Sequence, residues 1–128
     1  MSRWRKDLDS SAMQAISLVV KSKAQSKVYL YLLKNPSARS EEIVKGTRLH
    51  PSTVREALSK MYSRKLIKRI KLKNELIGKN PFIYSAVSPS VLLQQYVGQL
   101  EEQWNSLLGR TLGSKISIQV VSKGGKKK

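Results

Sequence analysis

Apolar residues recur in this chain first with a helical period and then, briefly, with a period of two. In KAQSKVYLYLLK, Ala24, Val28, Tyr31 and Leu32 stand at i, i+4, i+7 and i+8, which predicts a helix with one buried stripe. Ser22 is its N-cap and Asn35-Pro36 its end. EEIVKG predicts a second, short helix. Ser40 precedes it, Glu41 and Glu42 lie in the first turn where the helix dipole favours carboxylates, and Gly46 marks its close. His50-Pro51 opens a third helix, with proline at the first helical position where a missing N–H costs nothing. Val54, Ala57, Leu58 and Met61 line its inner face at i, i+3, i+4 and i+7.

From Leu66 the period changes. In LIKRIKLKN, Ile70 and Leu72 alternate with Arg69, Lys71 and Lys73, the pattern of a strand with its apolar side buried. PFIYSAV, residues 81–87, is the antiparallel return strand, and NELIGKN makes the hairpin tip. Ser88-Pro89 then caps a helix through SVLLQQYVGQLEEQWNSLLGR, about 20 residues or roughly 30 Å long. Its Leu93, Val97, Leu100, Trp104 and Leu107 are spaced 4, 3, 4, 3, an a/d seam that Leu92, Tyr96 and Leu108 widen. Such a stripe suits packing onto the same domain or against a second copy. At the ends the pattern is less decisive. LDSSAMQAISLVV reads as a helix capped by Asp9 with Met13, Ile16 and Val20 inward, or as a strand through alternating Ile16, Leu18 and Val20. KISIQVV, residues 115–121, reads as a strand, followed by the basic GGKKK tail.

Charge changes this picture most. The 128 residues carry 25 Lys and Arg against 8 Asp and Glu, net +17, which points to a polyanion partner. The charge is also segregated: residues 1–79 are net +13, 80–109 are net −2 without one Lys or Arg, and 110–128 are net +6. A basic block, a non-basic helix and a basic tail imply division of labour. Hydrophobic content of 40% with 26% charged residues fits a folded chain. The sequence offers no apolar run near membrane-spanning length and no secretory signal pattern, so a cytoplasmic, nucleoid-associated protein with no membrane partner is expected.

Catalysis finds little to work with. There is one histidine, His50, and no cysteine. The carboxylate pairs Glu41-Glu42 and Glu101-Glu102 are helical neighbours pointing about 100° apart, so neither converges on one atom. No phosphate loop and no metal-ligand spacing appears, which predicts a non-enzyme without cofactor or metal, His50 being a helix-entry residue. Nucleic-acid contact has many candidates. On the third helix, Ser52, Glu56, Ser59 and Ser63 lie opposite the buried stripe, flanked by Thr53, Arg55 and Lys60. Arg55 is the candidate base reader, since its fork can grip guanine O6 and N7 together, and Glu56 is placed to pair with Lys60. Arg64 and Lys65, with Arg69, Lys71, Lys73 and Lys79 on the hairpin, are candidate phosphate contacts.

The stretches KSKAQSKVYLYLL, LHPSTVREAL and SRKLIKRI together resemble the N-terminal DNA-binding domain of archaeal TrmB-family regulators, close to MarR-type regulators, over about residues 20–90. The resemblance implies a mainly α fold with a small β-hairpin wing, a winged helix-turn-helix, plus a long C-terminal dimerisation helix. It also implies sequence-specific binding to double-stranded DNA, transcriptional regulation, and a homodimer built on Leu93, Val97, Leu100, Trp104 and Leu107. TrmB regulators often carry a large sugar-binding domain after this module. Here some forty residues follow, so the small-molecule effector is unknown. The expected organisation is an N-terminal extension (1–21), the winged helix (22–87), the dimerisation helix (88–110), and a C-terminal strand with basic tail (111–128). Two other readings compete: a weakly specific architectural, chromatin-type DNA binder, favoured by the net charge, and a winged-helix module for protein or RNA docking, suited by Leu76 and Ile77 at the wing tip.

Overall fold

The computed structural model describes residues 2–72 and 81–121, with side chains from Ser10 onward. The chain divides into two units, Met1–Ser88 and Pro89–Lys128. The first holds α1 (Ser2–Val20), α2 (Lys23–Lys34), α3 (Ser40–Thr47), α4 (Pro51–Ser63), β1 (Ile67–Lys71) and β2 (Phe82–Ala86); the second holds α5 (Pro89–Thr111). Helix-turn-helix followed by an antiparallel hairpin is a winged helix-turn-helix, mainly α with a small β wing.

The core of the first unit draws on all four helices, the base of β1 and the residue after β2. Ile16 and Val20 of α1 meet Val28, Tyr29 and Leu32 of α2, with Ile43 of α3, the α4 stripe, and Leu66, Ile67 and Val87 closing it. Burying each large apolar side chain stabilises by about 1.5–3 kcal/mol. Helix α1 settles the helix-or-strand choice at the N-terminus: Ile16 and Val20 are buried one turn apart while Leu18 between them is 69% exposed. It also begins at Ser2, ahead of the cap expected at Asp9. On α2 the buried stripe is rotated from the one expected. Tyr29 is fully buried with Gln25, Ser26, Val28 and Leu32, whereas Tyr31 and Ala24 are half-buried. The cause is tertiary, because α2 packs on α1, α3, α4 and β2 at once. Tyr29 reaches through the core to donate its hydroxyl to the Val87 carbonyl at 2.6 Å.

Helix ends follow local chemistry. The Ser22 hydroxyl accepts from the Gln25 N–H (3.2 Å). Ser40 is the first helical residue of α3, and the Glu42 carboxylate accepts from the Arg39 N–H (2.7 Å). Gly46 does not end α3; Arg48 does, in the left-handed region at φ 62°. Gly46 is needed for another reason, since a Cβ there would lie 2.0 Å from Cε1 of Tyr31. His50 caps α4 through Nδ1, which accepts from the Ser52 N–H (3.2 Å). At the other end the Leu66 N–H returns to the Met61 carbonyl and the Lys65 N–H to that of Tyr62, a Schellman closure with Lys65 at φ 63°.

The wing pairs Ile67 with Ala86, Arg69 with Tyr84, and Lys71 with Phe82. Ala38 bridges to Tyr84 on the far edge of β2 and so anchors the hairpin to the turn after α2. The alternation in β1 is real, but its apolar side is not covered. Ile67 is buried, whereas Ile70 is 67% and Leu72 38% exposed. Ile67 shares its sheet face with Arg69 and Lys71, so the strand meets the core at its base and the hairpin then leaves it.

In the second unit, α5 buries Leu92 and leaves Leu93 42%, Trp104 50% and Leu107 50% exposed. The segment expected as a strand, residues 115–121, has no regular secondary structure and no ladder partner among the described residues. Asn105 of α5 holds it instead: its Oδ1 accepts from the Ile116 N–H (2.6 Å) and its Nδ2 donates to the Ile116 carbonyl (3.0 Å). One turn earlier, Glu101 accepts from the Ile118 N–H (2.6 Å). Alternating β-branched residues favour extended backbone, but a ladder needs a second strand that this stretch does not bring with it.

Candidate nucleic-acid interface

Helix α4 turns its buried stripe of Val54, Ala57, Leu58 and Met61 into the core and presents the opposite face to solvent. Ser52, Arg55, Glu56, Ser59 and Lys60 are exposed, and Thr53 is half-buried. Ser52 Oγ lies 2.9 Å from His50 Nδ1, so this residue belongs to the helix cap. The Glu56–Lys60 pair forms at 3.3 Å with both side chains well exposed, a contact of a few tenths of a kcal/mol at most. Arg55 makes no hydrogen bond or ion pair among the described residues, leaving its fork open to a base edge or a phosphate.

The phosphate candidates diverge. Arg64 is exposed yet engaged: its Nη1 donates to the Val20 carbonyl and to Gln25 Oε1, both at 3.1 Å. This ties the end of α1 and the start of α2 to the end of α4 and satisfies a buried amide. Lys65 occupies the left-handed position that closes α4. Arg69 lies over two aromatic rings, with its Cζ 3.8 Å from the Tyr62 centroid and 4.3 Å from that of Phe82. Lys71 Nζ is 5.9 Å from the Phe82 ring, and Phe82 is itself tilted at 53° against Tyr84. Lys73 and Lys79, like Leu76 and Ile77, lie outside the described residues.

Three residues escaped the sequence reading. Lys68 lines the groove between the end of α4 and β1, together with Tyr62, Ser63, Lys65, Ile67, Arg69 and Val87. Tyr62 and Phe82 matter through Arg69. Their signal was an aromatic in the last turn of α4 and another at the start of β2, legible only once the strand register is known.

The candidate dimer residues share one stripe of α5: Leu93, Trp104 and Leu107 are exposed, Val97 and Leu100 half-buried. The latch residues Glu101 and Asn105 lie on the neighbouring stripe, about 100° around the helix from the seam. No group of three or more His, Asp or Glu side chains among the described residues is placed to hold a metal, and no described helix is long and apolar enough to cross a membrane.

Comparison with known proteins agrees with this geometry. The solved structure of a possible transcriptional regulator from Methanosarcina mazei Go1 superposes with a TM-score of 0.62 at 21% identity, covering 78% of this chain and 84% of that one. An S. aureus MepR mutant bound to an oligodeoxyribonucleotide gives 0.50 at 15% identity, covering 85% and 82%. At such identities the likeness speaks for the fold. No curated protein matches the chain. A family model does: residues 22–90, more than half of the chain, match the sugar-specific transcriptional regulator TrmB, and with the winged helix built as described, the chain belongs to the TrmB family of DNA-binding transcriptional regulators.

Proposed function

We propose that this chain binds specific duplex DNA as a homodimer, reading base edges with α4 and gripping phosphates with the wing. The observation that carries the reading is the outward face of α4. Small side chains at Ser52 and Ser59 leave room at the groove floor, and the unengaged Arg55 stands near the helix start, the part that meets bases in helix-turn-helix docking. Lys60, Lys65, Lys68, Arg69 and Lys71 supply cations around it, while Arg64 serves mainly to hold the domain together. The seam of α5 supplies the dimer contact, and two-fold symmetry then calls for a pseudo-palindromic site. The role is binding rather than catalysis, exercised on DNA in the cytoplasm.

Fluorescence anisotropy with mixed-sequence duplex, single-stranded DNA and structured RNA, each over a salt series, tests this. Duplex preference with a steep salt slope is expected; six to ten phosphate contacts would lower affinity about 10³–10⁵-fold between 50 and 200 mM salt. On the selected site, Arg55→Ala should cost about 1–3 kcal/mol and relax sequence choice. An equal loss on every sequence would reassign Arg55 to the phosphates. A second reading draws on Ile70 and Leu72, whose exposure suits docking of a protein on the outer wing face. Under it, reversing the charge of Lys71 would leave duplex affinity intact.

A further inference from the structure

Arg69 touches both elements that meet DNA in the reading above, and it does so through aromatic rings alone among the described residues. Tyr62 belongs to the last turn of α4 and Phe82 opens β2, so the guanidinium bridges the end of the recognition helix to the wing. The register explains why. Lys71 faces Phe82 directly and Arg69 faces Tyr84, which puts Phe82 on the diagonal from Arg69, within reach of a long side chain. The result is an alternating ladder of Lys71, Phe82, Arg69 and Tyr62 on one face of the hairpin. Both rings lie close to the guanidinium carbon, and its five N–H groups hold no acceptor among the described residues. Lys65 and Lys68 line the same groove, whose lining holds no acidic side chain.

We propose that Arg69 is a preorganised phosphodiester clamp, held in its binding pose by Tyr62 and Phe82, which act as positioning residues. This deepens the DNA-binding reading and rests on it. A mobile surface arginine loses rotamer freedom when it grips a phosphate; a guanidinium already stacked on rings has lost it in the free protein. Its planar fork matches two phosphate oxygens, whereas the ammonium of Lys71, farther from its ring, is a point charge on a flexible stem. The same stack fixes the wing against α4, so the clamp holds its distance from the base-reading residues.

Geometry and charge are separable by experiment. Arg69→Lys keeps the cation and removes the planar fork; Tyr62→Leu and Phe82→Leu keep every charge and remove a ring; Lys71→Gln removes a charge and keeps the Arg69 stack. Each is titrated with the full chain against the selected duplex over a salt series, with thermal melts to confirm folding. The clamp predicts roughly tenfold weaker binding for Arg69→Lys and a smaller loss for each ring variant, all with the wild-type salt slope. Lys71→Gln should instead lower that slope by about 0.9. Wild-type affinity in Arg69→Lys, or in both folded ring variants, overturns the clamp and leaves Arg69 as one cation among several. A wild-type chain without salt-dependent duplex binding overturns the DNA reading itself, and the clamp with it. In that case the proton spectrum still reports whether Arg69 sits against the rings, by upfield shifts that Tyr62→Leu reduces.

Discussion

Helices α4 and α5 carry apolar stripes of nearly the same spacing and put them to opposite use. In α4, Val54, Ala57, Leu58 and Met61 are each 4% exposed or less. In α5, Leu93, Trp104 and Leu107 of the seam are 42–50% exposed. Periodicity states that a helix has an apolar face; it does not state what covers that face. The charge pattern comes closer to telling them apart. The stripe of α4 is backed by Arg55 and Lys60, so the helix is pinned by its own core and offers a cationic face outward. Up to Arg110, α5 has no basic residue, so its exposed stripe lacks the cations that accompany that of α4.

The comparison breaks most visibly in the core. Met61→Ala, at a fully buried position of the α4 stripe, should destabilise by about 2–5 kcal/mol and lower Tm accordingly. Leu100→Glu combined with Trp104→Glu, on the α5 stripe, should leave the unfolding of residues 1–88 near wild type. Sedimentation equilibrium should instead report the loss of dimer. If the α5 variant unfolds the chain as Met61→Ala does, the seam is core and the dimer contact lies elsewhere.

A middle case is Tyr29, a core residue whose polar end has to be satisfied. Burial pushes its hydroxyl up to about 12 from 10.0. Tyr29→Phe leaves the Val87 carbonyl without this donor and should cost about 1–3 kcal/mol. The folded state holds the proton more tightly than the unfolded chain. The stability that this hydroxyl contributes is therefore fully present below pH 10 and is lost as pH rises through about 12. Urea midpoints measured across that window should converge for wild type and the phenylalanine variant; parallel curves would mean that the hydroxyl ionises without penalty.

What was legible in the sequence follows the range over which each signal acts. Caps, prolines and the stripe of α4 are local, and they placed α2, α3, α4 and the hairpin. Gly46 looked like a helix end because glycine usually is one, yet it is there for the Tyr31 ring fifteen positions back. Arg64 looked like any surface cation, and its acceptors lie 39 and 44 residues away. The buried half of β1 was inferred from alternation, but alternation has period two whether or not a partner surface exists, and Ile70 has none among the described residues. Arg69 was placed on the wing correctly by its position in the run, while its two rings became visible only with the register.

The smallest effect sharpens the comparison at the point where α4 ends. Lys65 adopts a left-handed conformation that costs a side-chain-bearing residue about 1–3 kcal/mol and glycine almost nothing. Glycine also gives the unfolded chain more freedom, worth about 0.4–1 kcal/mol against folding. Lys65→Gly should therefore stabilise the fold by up to about 2.5 kcal/mol, less what the existing contact of Lys65 contributes. In the same molecule, loss of a cation beside the Arg69 groove should weaken duplex binding and lower the salt slope by about 0.9. Opposite signs in the melt and the titration would show that a position at which glycine closes the helix better carries lysine for its charge. A variant more stable and equally tight on DNA would leave Lys65 out of the phosphate contacts. Binding would then begin at Lys68 and Arg69, on the wing side of the groove.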